Sequence, residues 1–359
     1  MDRIVEISRE IAVISAGRGG GAPAQRERQD GEAHIDLRLS CGAMQRGALL
    51  VMLADYVPRL SFSMAHPLAS KHHWWPKGVS RYWKNDEGIV HWLKPDGEVI
   101  SSDPANFAAI GGGHSVRLGN DPGEDTPWDF TFEPEFDRPD SAFPHVIEWL
   151  QSLDRPPLIE AGLRDRYIPI EAASEQIDQL LECVISLAVR SPMTRALAVA
   201  TAEHLRGSIK VKEKNNLISM NLRGTQRNHA RNIPYIGKVA IIYSPNREFI
   251  FGDGFYSTLA PGSYNLGSLS IICPITPRIA VVIHKPSQYR TRPRLSAITF
   301  ADQETDGLNS VTQIYACNAV FYREEKPTPS EYFVLRRHQV LDWPNAICAF
   351  LRQLPGVQS

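Results

Sequence analysis

Apolar positions between residues 171 and 190 recur at Ile177, Leu180, Leu181, Val184, Ile185 and Ala188. That spacing of three and four keeps one face apolar and predicts a helix over Glu171–Arg190, the longest of the chain. Pro192, suited to a first helical turn, opens another helix toward His204. Ser141–Leu153 is a shorter helix, with Phe143, Val146, Trp149 and Leu150 on one side. After Lys238 the period falls to two, predicting strands at Val239–Tyr243, Glu248–Phe251, Phe255–Ser257, Ser268–Cys273 and Ile279–His284. Leu308–Glu325 returns to helical spacing through Val311, Ile314, Tyr315, Asn318 and Phe321. Glu331–Leu335 reads as a last strand and Trp343–Leu354 as a closing helix.

Ahead of these helices, Arg81–Ser101 reads as a β-meander. Arg81-Tyr82-Trp83, Ile89–Leu93 and Glu98–Ile100 are its strands, divided by the turn residues Asn85–Gly88 and Pro95–Gly97. Asp121–Pro139 has no period and is expected as an irregular connection. Strands, then helices, then strands with appended helices predict an α+β fold, with a C-terminal sheet that is antiparallel or mixed. Residues 64–359 are expected as one domain: meander and acidic loop over 72–140, helices over 141–237, and sheet plus helices over 238–359. Residues 1–63 lack either period. No lysine precedes Lys71, although eight arginines do, and Gly17–Ala24 is nearly all Gly, Ala and Pro. This stretch is expected to be an extension outside the core, with organised sequence starting near Met64.

Composition narrows the class. At 359 residues, 43% hydrophobic and 22% charged, the chain has the make-up of a globular protein, not a disordered chain, a rod or a disulfide scaffold. Its five cysteines, Cys41, Cys183, Cys273, Cys317 and Cys348, are odd in number and without a C-x-x-C pair. Reduced thiols in a cytoplasmic setting, no structural disulfide and no cysteine-built zinc site are therefore expected. The longest apolar run, Ala48–Ala54, is far short of the roughly 20 residues a membrane span needs.

A net charge of −1 conceals an asymmetry. Residues 1–170 carry 18 Lys and Arg against 25 Asp and Glu, and residues 171–359 carry 21 against 15. Eight acids crowd Asp121–Asp140, and eight basic residues lie between Glu203 and Lys238. The two patches either face each other or solvent, or the basic one contacts phosphate. Within it Lys210, Lys212 and Lys214 alternate as in an exposed strand or loop. Arg223, Arg227 and Arg231 recur every four residues, one stripe if helical. Lys285, Arg290, Arg292 and Arg294 extend the positive charge.

Several places resemble a bacterial and phage family of unknown function, whose members share a His-Tyr-Val-Pro motif and a later Ser/Thr-Asp-Asn-Pro motif ahead of a strand entry. His73-Trp74-Trp75-Pro76 stands at the first motif and Phe249–Gly254 at the second. Arg190-Ser191-Pro192 and Pro274–Arg278 resemble the family's helix end and strand entry. His73, Pro76 and Asp253 are the motif residues retained. The resemblance covers residues 72–325 and implies an architecture and two positions, His73 and Asp253, rather than a reaction.

Two functions follow from these residues. In one, His73 and Asp253 converge as catalytic groups of a metal-dependent phosphodiesterase or nuclease of a phage-defence or mobile-element locus. Nucleic acid is then the partner, a divalent metal the cofactor, and Arg206, Lys210, Arg223, Arg227 and Arg231 the phosphate contacts. In the other, the same residues only build a non-enzymatic module: Asp253-Gly254 is a tight turn, His73 packs on tryptophans, and the Trp74–Trp92 cluster is core. No nucleophile elbow, H-E-x-x-H or P-loop is present in the sequence. Deleting residues 1–63 is expected to leave unfolding free energy within about 2 kcal/mol of the full chain, less than a single large core truncation; a greater loss in thermal unfolding would show that the segment packs.

Overall fold

The computed structural model describes residues 71–107, 109–111, 115–116, 130–131, 133–233, 237–259, 269–284, 291–335 and 345–358. The predicted extension over 1–63 lies outside the described residues. Strands β1 (Lys71–His73), β2 (Val90–Leu93), β3 (Val99–Ser102) and β4 (Ala109–Gly111) come first. β2 and β3 form the expected hairpin, and β1 pairs with β4. β5 (Ser115–Val116) and β6 (Phe130–Thr131) make a further antiparallel pair.

Arg81–Trp83 is not the strand that its aromatics suggest. Helix α1 (Lys77–Ser80) runs straight into a 3₁₀ turn over Arg81–Trp83. Its buried positions, Val79, Ser80 and Trp83, have helical spacing. The Trp83 indole N–H donates to the carbonyl of Ile275 at 3.0 Å, so a partner 192 residues away sets its orientation.

Helix α2 (Asp137–Ser152) starts a turn earlier than predicted, with Pro139 in its first turn, where its missing N–H costs nothing. Helices α3 (Ser174–Arg190) and α4 (Pro192–Arg206) meet at a 54° bend, where Ser191 Oγ accepts from the Thr194 amide at 3.2 Å. The longest helix is instead α5 (Val211–Asn232), 22 residues against 17 in α3. Residues expected as an exposed strand or loop around Lys212 and Lys214 thus form its first turn. Among its described side chains, only Ser219, Leu222 and Gln226 give it a buried stripe. It forms by packing on α3 and α4 rather than by a strong apolar period. Among the described residues no single helix is long and apolar enough to cross a membrane.

The remaining elements are β7 (Ile168–Pro169), β8 (Val239–Tyr243), β9 (Phe251–Gly252), β10 (Ser270–Thr276), β11 (Ile279–His284), β12 (Thr291–Arg292), β13 (Leu295–Thr299), α6 (Asp302–Tyr315), β14 (Val320–Tyr322), α7 (Glu331–Val334), α8 (Asn345–Gln353) and β15 (Val357–Gln358). The fold is α+β, with two principal sheets. One has the order β10-β11-β8-β13-β7 and is mixed, since β13 runs parallel to β8. All five residues of β8 are buried, the mark of a central strand covered on both faces. The other sheet, β3-β2-β14-β9, is antiparallel. The N-terminal meander is therefore completed by strands from residues 251–252 and 320–322, and is not a separate piece.

Three C-terminal expectations are corrected. The helix over Leu308–Glu325 stops at Tyr315, and Phe321 belongs to β14, because the amides that would continue the helix bond elsewhere. Glu331–Leu335 is a helical turn, not a strand; Ser330 Oγ caps it by accepting from the Phe333 amide. Glu248–Phe251 and Phe255–Ser257 contribute only β9 and an isolated bridge, Ser257 to Ile271. β13 had no sequence forecast, its Ser-Ala centre being too weakly apolar to read.

An aromatic cluster joins the halves of the chain. Trp75 stacks on Phe251 at 4.7 Å between centroids and lies 4.7 Å from Phe321, while Trp83 lies 5.6 Å from Phe251. A second tie is ionic: Arg166 reaches Glu304 in a bidentate pair, both contacts 2.7 Å, and also donates to the Thr299 carbonyl. Both side chains are nearly buried, at 8% and 11% exposure. Glu304 further accepts from the Ala301 amide at the start of α6. Glu304→Gln leaves the Arg166 charge buried without its counter-charge and is expected to cost about 3 kcal/mol in denaturant unfolding.

Candidate functional site

Asp253 follows β9 in Phe251-Gly252-Asp253-Gly254-Phe255, but not as a hairpin tip. It is 3% exposed, and both flanking glycines have ordinary negative backbone angles. They are glycines because of crowding: a Cβ on Gly252 would sit 2.3 Å from the Gly254 carbonyl oxygen, and one on Gly254 2.2 Å from that of Tyr315. This close approach lays Asp253 against the turn between α6 and β14. One carboxylate oxygen accepts from the Cys317 amide at 2.6 Å and the other from the Asn318 amide at 2.9 Å. The Asp253 amide donates to the Ala319 carbonyl at 3.0 Å. Burial pushes the carboxyl up to about 6 even against these donors, and pushes the neighbouring Cys317 thiol up to about 12.

His73, half-buried, closes β1 opposite Ala109. The residues that carry its segment onto β9 are Trp74 and Trp75, stacked on Phe251. The groups that govern the Asp253 carboxylate are backbone amides, not an imidazole. Among the described residues no three His, Cys, Asp or Glu side chains converge as a metal-ligand set.

The basic candidates are largely engaged by acids of the same chain. Arg206, at the end of α4, pairs with Glu213 at 2.6 Å. Arg227 holds Glu135 through two nitrogens, and Arg223 lies 3.8 Å from the same carboxylate. Arg190, 1% exposed, is bound to Asp140 and stacks over Phe136 at 4.7 Å. Between the two patches, Glu135 meets Arg227 and Arg223. Lys210 stays exposed just ahead of α5, and the Arg231 side chain lies outside the described residues. Cys183, Cys273 and Cys317 are buried thiols outside any disulfide.

Lys238 and His284 meet at one end of the five-stranded sheet. Lys238 enters β8 with φ of 51°, in the left-handed region that favours glycine, and is the one non-glycine residue so placed among those described. Its surroundings hold it there. The Lys238 amide donates to Thr291 Oγ1 at 3.0 Å, and a Cβ on Gly237 would sit 2.3 Å from that oxygen. Gly356, at φ 124°, lets the chain pass beside the lysine stem, and Nζ reaches the Leu354 carbonyl at 3.4 Å. The pairing of β12 with β15 brings these C-terminal residues in.

Lys238 is half-buried, and its ammonium is held below the usual range by burial and by the nearby charge of Arg164. The next strand ends at His284, whose amide donates to the Lys238 carbonyl at 3.0 Å. Across β10, Ser270 Oγ lies 2.9 Å from His284 Nδ1. Burial, then the charges of Lys238 and Arg352, lower the imidazole to about 4. No described carboxylate pairs with Lys238, Arg164 or Arg352. The sequence offered one signal for this site, the run of basic residues from Lys285 to Arg294, but the residues that form it are scattered from 164 to 352.

Compared with protein-family models, curated proteins and solved structures, the chain matches none. Function is therefore argued from geometry. Asp253→Asn turns one amide acceptor into a donor facing an N–H and is expected to cost about 2–3 kcal/mol in chemical unfolding; unchanged stability would show that the carboxylate does not hold the α6–β14 turn.

Proposed function

We propose that this protein is an anion-binding module, with its site at the cationic end of the five-stranded sheet and with His73 and Asp253 serving the fold. The observation that carries this reading is Lys238. A lysine in the left-handed region costs roughly 1 kcal/mol over a relaxed backbone. Glycine would remove that strain. What lysine adds is an ammonium on the strand end beside His284, in the field of Arg164, with the Leu354 carbonyl as its partner among the described residues. Like charges gathered without a counter-ion destabilise the free protein, and an anion that neutralises them binds with the recovered energy. Asp253, with both oxygens taken by amides, supports the fold-building role rather than a reacting one.

Lys238→Gly separates function from folding. Relief of strain and the extra freedom of glycine in the unfolded chain roughly cancel, leaving stability within about 1 kcal/mol of the unsubstituted protein. Thermal unfolding with sulfate or phosphate at fixed ionic strength should raise the midpoint of the unsubstituted protein by several degrees more than that of Lys238→Gly, since a ligand at 100 times its Kd adds about 2.7 kcal/mol. Equal shifts in the two proteins would overturn the proposal.

A further inference from the structure

Independently of the anion-binding reading, we infer that α5 is a strap that opens as one unit while the rest of the fold stays closed, and that Glu135 is its latch, weakened as salt screens its pairs with Arg223 and Arg227. The helix is long but weakly held. Eleven of the 17 residues of α3 are buried, whereas Ser219, Leu222 and Gln226 are the buried ones among the described side chains of α5. Of these three, Leu222 alone joins the main core, with half-buried Ile218 packed against it. The polar atoms on the inner face are poorly matched. Gln226 Oε1 and Asn216 Oδ1 are shut from solvent with no partner among the described residues, which opposes docking.

Gly224 weakens the helix itself. A Cβ there would meet nothing within 4 Å, so packing does not demand a glycine, and its backbone freedom disfavours the helical state. Gly207, which caps α4 at φ 82° in equally open space, offers a pivot ahead of α5.

What closes the strap is ionic. Near its start, Glu213 pairs with Arg206 at 2.6 Å and Lys214 with Glu203 at 2.8 Å. Near its end, Glu135 takes two nitrogens of Arg227, Nε at 3.1 Å, and has Arg223 at 3.8 Å. Glu135 is a firm post, because the next residue, Phe136, is 1% exposed beneath the Arg190 guanidinium. The side chains of these pairs are 22% to 65% exposed, so salt reaches and screens them. An element held this way opens ahead of global unfolding. Opening frees Arg223 and Arg227 and bares the faces of α3 and α4 on which α5 packs.

The test is amide hydrogen exchange of the full chain at about 0.05 M and 0.5 M sodium chloride. Residues 217–227 should exchange together, at least about a hundredfold faster than residues 180–190 of α3. The higher salt should speed α5 several-fold and leave α3 unchanged. Glu135→Gln should speed α5 by about threefold at low salt and shrink its response to salt. Gly224→Ala should slow α5 by about fivefold without moving α3. Exchange of residues 217–227 at the rate of residues 180–190 would overturn the strap. Exchange of α5 that ignores both salt and Glu135→Gln would overturn the latch.

Discussion

A single buried carboxylate organises the junction on which both sheets depend. Asp253 leaves water for a site where backbone amides replace its hydration, and in doing so it halts α6 and aims β14. β14 lies between β2 and β9 in the antiparallel sheet and carries Phe321 into the aromatic cluster. The N-terminal tryptophans reach the rest of the molecule through that cluster. A carboxylate so placed must keep its acceptors filled, because an unmatched polar group at that depth costs more than a matched one contributes. The glycines on each side follow from the same demand, for nothing larger allows the backbone to approach the Tyr315 carbonyl.

The mixed sheet obeys a different constraint. Its central strands are buried on both faces, so its chemistry is confined to its ends. At one end the chain accepts local strain at Lys238, whose ammonium pairs with no described carboxylate. Elsewhere in the same molecule cations are matched closely, Arg166 with Glu304, Arg190 with Asp140 and Arg227 with Glu135. The contrast between matched and unmatched cations sets the sheet end apart from a generally basic surface. Around α5, Arg206, Arg223 and Arg227 stand beside acids of the same chain.

How far the sequence could be read depended on where the information was stored. Periodic apolar faces located α3, α4, α8 and the strands β8, β10 and β11, since burial of one face is encoded within each segment. The β2–β3 hairpin was legible from Pro95-Asp96-Gly97. Trp83, Phe321 and the first turn of α5 were assigned the wrong element, because each takes its conformation from a distant partner: the Ile275 carbonyl, the β2 and β9 edges, and the faces of α3 and α4. Asp253 was recognised as unusual, but its role was not, because the amides it binds lie 64 and 65 residues further along.

By itself, the sequence determined the α+β class, the central helices and the buried strands of the mixed sheet, all properties of local pattern or composition. Only the tertiary structure decided which charges are matched and which are not. Pairing across the fold joined Glu135 to Arg227 and Arg166 to Glu304, and it set Lys238 beside His284 with no described carboxylate for a partner. Charge matching depends on distance in space, and the contacts that set it here span from 50 to more than 130 positions of sequence.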